Sequence, residues 1–242
     1  MNPSSVKEAQ VVFKSTITSA KGLKNVDVVV CPPFPYVNIK NDLKTKKVYL
    51  GAQNVSSESS GAYTGEVSAS ILSSSKVSHV IIGHSERRVM GETNSVVNKK
   101  IQQALKAKLA VVLCVGESVR DTHGEYLGFI KQQLHECLQS VSKAQMAHII
   151  IAYEPIWAIS SNGGREAIPD EFTEVRIFIR KILSDMYDAK CAHATKVLYG
   201  GSVGPEDVSG FLVEGGADGV LVGHNSLIPK KFAAILHICN TK

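Results

Sequence analysis

The feature that most restricts how this chain can fold is a succession of short, almost uninterrupted apolar runs, at residues 26–30, 48–52, 80–82, 110–114, 149–151, 197–199 and 219–222. Runs such as Ile149-Ile150-Ile151 leave no solvent-facing alternate positions, so each reads as a strand buried on both faces. Most of the intervening segments carry helical periodicity, as in 96–105, 126–141 and 170–186, the last beginning just after Pro169 where a helix start tolerates proline. Strands of this kind alternating with helices indicate a parallel sheet covered by helices. No low-complexity linker divides the 242 residues, so a single domain spanning residues 1–242 is expected.

Seven runs are one short of a closed eight-stranded barrel. The chain opens with Asn2-Pro3-Ser4-Ser5 and then Val6, Ala9, Val12, Phe13 and Ile17, a cap followed by an amphipathic helix with no strand before it. The expected architecture is therefore an α/β barrel of the (β/α)8 type with seven parallel strands, missing strand 1.

The totals exclude several classes. Hydrophobic residues make up 44% of the chain, enough for a sizeable core, and the net charge of +5 is thinly spread. The densest basic cluster, Lys44, Lys46 and Lys47, has no interleaved aromatic residues and reads as solvated surface, so no nucleic-acid partner is expected. Five cysteines, odd in number and without a CxxC pair, suggest reduced thiols. No stretch is apolar enough to span a membrane, and Met1–Ser5 lacks the basic start and apolar stretch of a signal peptide; a cytoplasmic protein is expected.

Chemistry concentrates in two segments, Gly83-His84-Ser85-Glu86-Arg87-Arg88 and Ala152-Tyr153-Glu154-Pro155-Ile156-Trp157-Ala158. Taken alone, His84 reads as a satisfied core histidine and Glu154 as a salt-bridge residue on a rim. Each, however, follows an apolar run, which places both where a buried strand opens into a loop, the position of catalytic groups in barrel enzymes. A carboxylate and an imidazole there suit proton abstraction beside a carbonyl, with the carboxylate as base and the imidazole polarising the oxygen. Gly200-Gly201-Ser202 and Gly223 follow the last two runs, where exposed backbone amides can hold phosphate, although glycine pairs taken singly are turns.

Together with Cys31-Pro32-Pro33, Gly51-Ala52-Gln53-Asn54, Gly61-Ala62-Tyr63-Thr64-Gly65-Glu66, Cys114-Val115-Gly116-Glu117 and Tyr199-Gly200-Gly201-Ser202-Val203, these segments resemble the triosephosphate isomerase family from Met1 to the C-terminus. The resemblance implies a TIM barrel and the interconversion of dihydroxyacetone phosphate and D-glyceraldehyde 3-phosphate through an enediolate, in glycolysis and gluconeogenesis, with neither metal nor organic cofactor. It implies that Glu154 shuttles the proton, that His84 polarises the enediolate oxygens, and that Glu86 and Ser85 support them as acidic and hydrogen-bonding neighbours. Pro155, Ile156 and Trp157 are similar to the hinge of the water-excluding lid for which this family is an established example. Substrate phosphate would fall to Ser160, Gly201, Ser202, Gly223 and His224. Thr64 resembles the residue that the family inserts into a partner subunit, which implies a homodimer. Arg87 and Arg88 are expected as structural ion-pair partners and Cys114 as a small buried residue.

The pattern also breaks. Family members carry Gly-Asn-Trp-Lys-Met-Asn at the end of a first strand, and Met1-Asn2 align with its last two letters, so the asparagine and the catalytic lysine have no counterpart here. Loss of one well-placed electrostatic group typically costs about 10²- to 10³-fold in rate, which implies weak or absent turnover. It also implies unpaired strand edges and a weakened dimer. Ser160-Ser161-Asn162, then Gly163-Gly164-Arg165, replace the usual lid Gly-Thr-Gly, and Gly223-His224 replaces a Gly-Gly; the His224 side chain either crowds the phosphate, assists it when protonated, or turns to solvent. The alternative function is a non-catalytic phosphate-binding or assembly protein on the same scaffold.

Overall fold

A computed structural model of the chain describes residues 2–40, 47–159 and 165–241. Helix α1 (Val6–Ser19) starts at Ser5, whose hydroxyl accepts a hydrogen bond from the Glu8 amide at 3.2 Å while the Glu8 carboxylate accepts one from the Ser4 amide at 2.6 Å. There follow β1 (Val28–Val30), β2 (Val48–Ala52), α2 (Ala69–Ser74), β3 (His79–Ile82), α3 (Ser85–Val89), α4 (Asn94–Lys106), β4 (Ala110–Val115), α5 (Glu125–Cys137), β5 (Ile149–Tyr153), α6 (Pro169–Met186), α7 (Ala189–Ala194), β6 (Val197–Tyr199), α8 (Val208–Val213) and α9 (Pro229–Asn240). Proline stands first in both α6 and α9, where its missing N–H has no helical partner to lose.

The six strands form one all-parallel sheet in chain order, with Val28 beside Val48, Val80 beside Val111, Val111 beside Ile149 and Ile151 beside Val197. Residue alternation divides each strand between two cores. Val111, Leu113 and Val115 of β4 point outward into the main cluster with Ile101, Ile130, Leu134, Phe172 and Ile179 of the helices. Val112 and Cys114 point inward and meet Ala152, Ile81, Ile150, Leu198 and Leu221. Burial on both sides is the physical reason the runs are almost continuously apolar. The result is a (β/α) half-barrel.

The expectation of seven strands is corrected to six among the described residues. The run at 219–222 makes a single parallel bridge, Val220 with Tyr199, in which the Tyr199 amide donates to Gly219 O at 3.1 Å and the Leu221 amide to Tyr199 O at 2.8 Å. Among the described residues nothing pairs with its other side or with the outer side of β1, so no second ladder extends it. Boundaries also move. Asp27 forms an ion pair with Lys47 at 3.2 Å and lies outside β1, while β5 continues through Tyr153, which makes Glu154 the first residue beyond the strand.

The helical layer closes where the sheet does not. Helix α1 packs against α9, and the Asn240 side-chain oxygen accepts from the amides of Lys24 at 2.8 Å and Asn25 at 3.1 Å just ahead of β1. No helix among the described residues is long and apolar enough to cross a membrane.

Candidate active site

Strands β3 and β5 flank β4, so the residues that leave their ends face each other across Val115. After β3, Gly83 turns the chain at φ +73° and His84 caps α3. After β5, the Glu154 amide donates to Val115 O at 2.8 Å. These two anchors bring His84 Nε2 to 3.0 Å from Glu154 Oε1. The second carboxylate oxygen, Oε2, accepts from the backbone amide of Ser85 at 2.9 Å. Glu154 is only 2% exposed, and the His84 side chain remains 29% exposed.

The Glu86 amide donates to His84 Nδ1 at 3.3 Å, and with Nδ1 as acceptor the ring proton belongs on Nε2, the nitrogen facing Glu154. Burial by itself lowers the imidazole pKa, but the hydrogen bond and negative charge of Glu154 outweigh it and raise the pKa above the ordinary histidine value. The Glu86 carboxylate lies 3.9 Å from Nδ1 and is 80% exposed, so it faces both the ring and solvent.

Two glycines permit this packing. A Cβ on Gly116 would stand 1.8 Å from Glu154 O, and one on Gly200 would stand 3.1 Å from Glu154 Cγ. Gly200 also donates its amide to Tyr153 O at 2.8 Å, which fixes the β6 end against the β5 end. Gly116 and Gly200 are thus sites of close backbone approach to the glutamate.

Sequence reasoning assigned no part to Glu117, a carboxylate 2% exposed beneath the segment that follows Glu154. Its Oε1 accepts from the Tyr153 hydroxyl at 2.8 Å and from the Trp157 indole at 2.7 Å, and its backbone oxygen accepts from the Ile156 amide at 3.0 Å. Burial raises its pKa, against the lowering effect of the Trp157 and Tyr153 hydrogen bonds. The available signal was a carboxylate directly after an apolar run and a glycine, the same strand-end position that drew attention to His84.

Around this centre the other expected residues fall in different places. The Ser202 hydroxyl donates to Ala158 O at 3.3 Å, which joins the loop after β6 to the turn at Ile156–Ala158. Gly201 is buried beside Tyr199 and Pro155, while Gly223 and His224 are exposed at the start of the turn at His224–Leu227. Asn225 links these two loops by donating to Val203 O at 2.6 Å. Thr64 is exposed on the loop between β2 and α2, which turns at Gly61 and Gly65 with φ of +130° and +91°. Ser160 lies outside the described residues, as do Ser161, Asn162, Gly163, Gly164, Lys44 and Lys46.

Arg87 is the expected ion-pair partner, bound to Glu92, which also holds the buried Lys100. Arg88 is corrected: it braces backbone and amide oxygens, Gly83 O at 2.7 Å, Asn94 Oδ1 at 2.6 Å and Cys114 O at 3.2 Å, because the turn at Gly83 presents carbonyls rather than a carboxylate. Cys114 is fully buried, and burial pushes its thiol pKa well up, away from nucleophilic character.

Taken together, a parallel (β/α) sheet and a histidine–carboxylate pair at the ends of two strands define a barrel-type scaffold suited to acid–base chemistry. The triosephosphate isomerase family model matches residues 1–239, and the chain belongs to that family. A triosephosphate isomerase of Endomicrobium trichonymphae is 39% identical over 234 residues, covering 96% of this chain and 92% of that protein. One of Dictyoglomus thermophilum is 40% identical over 228 residues, covering 93% and 91%. Homologues of this name support an isomerase.

Proposed function

We propose that this protein interconverts dihydroxyacetone phosphate and D-glyceraldehyde 3-phosphate, with Glu154 as the base that moves a proton between C1 and C2 and His84 as the group that polarises the carbonyl and enediolate oxygens. The observation that carries the reading is the buried contact of His84 Nε2 with Glu154 Oε1 at 3.0 Å, with Oε2 held by the Ser85 amide. A bound triose carbon takes the place between Oε1 and the imidazole. The carboxylate then accepts the C1 proton, and Nε2–H donates to the oxygen that gains charge. His84 gives its Nε2 proton to O2 and takes up the O1 hydroxyl proton, and return of the carbon-bound proton from Glu154 to C2 completes the isomerisation, so no group is consumed. Ser85 takes part through its amide, and Glu86 through its amide on Nδ1, which holds the ring in the donating tautomer.

Phosphate binding is assigned to the loops carrying Gly201, Ser202, Gly223 and His224, supported by their position after the last two apolar runs and by the Asn225 link between them. Pro155, Ile156 and Trp157 serve as the hinge next to the base. The 242-residue chain turns over slowly in this reading. Among the described residues no lysine or arginine side chain pairs with Glu154 or His84, which supports that reading. A homodimer through the Thr64 loop belongs to the same proposal and is supported by the exposure of Tyr63, Val89 and Met90, at 48%, 86% and 75%. A reducing compartment such as the cytoplasm suits five cysteines that are odd in number and form no CxxC pair.

The test is isomerisation of glyceraldehyde 3-phosphate by this chain, beside a form extended at its N-terminus with a family-like strand ending in Asn and Lys. Turnover by the extended form that Glu154→Gln abolishes supports the assignment. Two folded but silent proteins that bind a triose phosphate analogue would favour the non-catalytic alternative.

A further inference from the structure

We propose that Glu171 is a positioning residue, which holds two arginines over Trp157 and so fixes the hinge that follows Glu154. This rests on the reading of Glu154 as the base. The Arg165 guanidinium lies 4.6 Å from the centre of the Trp157 ring system, and that of Arg120 lies 5.7 Å away. Both converge on one carboxylate. Arg165 forks onto Glu171, with Nη1 at 3.0 Å from Oε2 and Nη2 on Oε1, while Arg120 Nε stands 3.7 Å from Oε1. A forked guanidinium–carboxylate pair is directional, so the carboxylate sets where the cation sits as well as that it is near.

Glu171 is itself held. It occupies the first turn of α6, where free amides favour a negative charge, and its Oε2 accepts from the Ile168 amide at 3.1 Å. It is 16% exposed at its side chain, whereas Arg165 is 60% exposed and, among the described residues, pairs with no other carboxylate. Arg120 is placed differently. It is 12% exposed, pairs with Glu174, lies 4.5 Å from the Tyr126 ring and 3.8 Å from Glu117, and so ties the clamp to the carboxylate that receives the Trp157 indole. Trp157 is thereby fixed at its N–H by Glu117 and over its ring by Arg165, which Glu171 holds in a fork, and by Arg120, which Glu174 binds and Glu171 faces at 3.7 Å. Only Pro155 and Ile156 separate it from Glu154, and the Ile156 amide is bound to Glu117 O, so little slack remains between clamp and base.

Trp157 is the only tryptophan of the chain, so its fluorescence reports this clamp directly and independently of turnover. Glu171→Gln keeps an oxygen for the Ile168 amide and removes the charge that holds Arg165. We expect its acrylamide quenching constant to rise about twofold over the unaltered chain, with Arg165→Lys giving an intermediate rise because it retains charge without the fork. The second readout is the ring titration of His84, followed by NMR of the histidine-labelled protein. If the clamp positions Glu154, the His84 midpoint in Glu171→Gln moves down toward the ordinary histidine value, part of the way to that of Glu154→Gln. Unchanged quenching in both variants would overturn the proposal; both are expected to fold, since Arg165 is largely exposed and glutamine at position 171 keeps the size of the side chain and an acceptor for the Ile168 amide. A rise in quenching with an unmoved His84 midpoint would overturn its link to the base. Absence of isomerase activity in the N-terminally extended form counts against the proposed function and leaves both readouts interpretable.

Discussion

His84 Nε2 and Glu154 Oε1 meet at 3.0 Å although their strands are not neighbours in the sheet. The strand between them, β4, supplies the connection: its Val115 oxygen takes the Glu154 amide, and Gly116 leaves room for the Glu154 backbone. The two side chains are in this way referred to a single strand end.

Replacement of the base tests the chemistry. Glu154→Gln retains the size of the side chain and its contact with the Ser85 amide only in part, and it cannot accept the substrate proton. The expected loss in kcat is about 10²- to 10⁴-fold, measured by coupled assay on the N-terminally extended form.

The raised His84 pKa has a definite sign in stability. Unfolded, the ring titrates near about 6.5, and folded it titrates higher because Glu154 outweighs the opposing effect of burial. The stabilising contribution is therefore complete below the unfolded value and is lost as pH rises through the folded one. Urea unfolding should show the difference between the unaltered protein and His84→Asn to be largest in mild acid and to shrink toward alkaline pH. A difference that grows with pH would show the shift to have the opposite direction.

Gly116 should accept no side chain. Its Cβ would stand 1.8 Å from the Glu154 carbonyl oxygen, a contact with backbone that no rotamer can relieve. Gly116→Ala is expected to cost about 3 kcal/mol in chemical denaturation and to perturb the His84 ring titration, because the strand end that carries Glu154 must shift.

The buried cation at Lys100 depends on Glu92. Lys100 is 4% exposed at its side chain and binds both Glu92 and, at 2.7 Å, Asn54 Oδ1. Glu92→Ala leaves a buried charge without its counter-ion and is expected to destabilise by about 3–5 kcal/mol, whereas adding Lys100→Met to that variant should recover a large part of the loss. Equal stability of the single and double variants would argue against the pair as the source.

Glu117→Ala removes the acceptor of two buried donors, the Tyr153 hydroxyl and the Trp157 indole. Stability should fall by about 2–4 kcal/mol, and tryptophan emission should shift to the red as the indole finds water.

Much of this protein follows from local pattern. The near-continuous apolar runs determined a parallel sheet buried on both faces, and the periodicity and Pro169 determined where α4 and α6 lie, because strand and helix periods are properties of a few adjacent residues. For the same reason His84 and Glu154 could be placed at strand ends before any fold was known. Tertiary structure alone decided that the run at 219–222 pairs through one bridge, since a strand requires a neighbour and the neighbour is set by the whole sheet. It also decided that the Ser85 amide meets Glu154, that Arg88 grips carbonyls, that Glu117 takes the Trp157 indole and that Arg165 forks onto Glu171. These are distances of a few ångströms between residues remote in the chain, fixed by strand order, register and helix packing, and no short stretch of sequence encodes them.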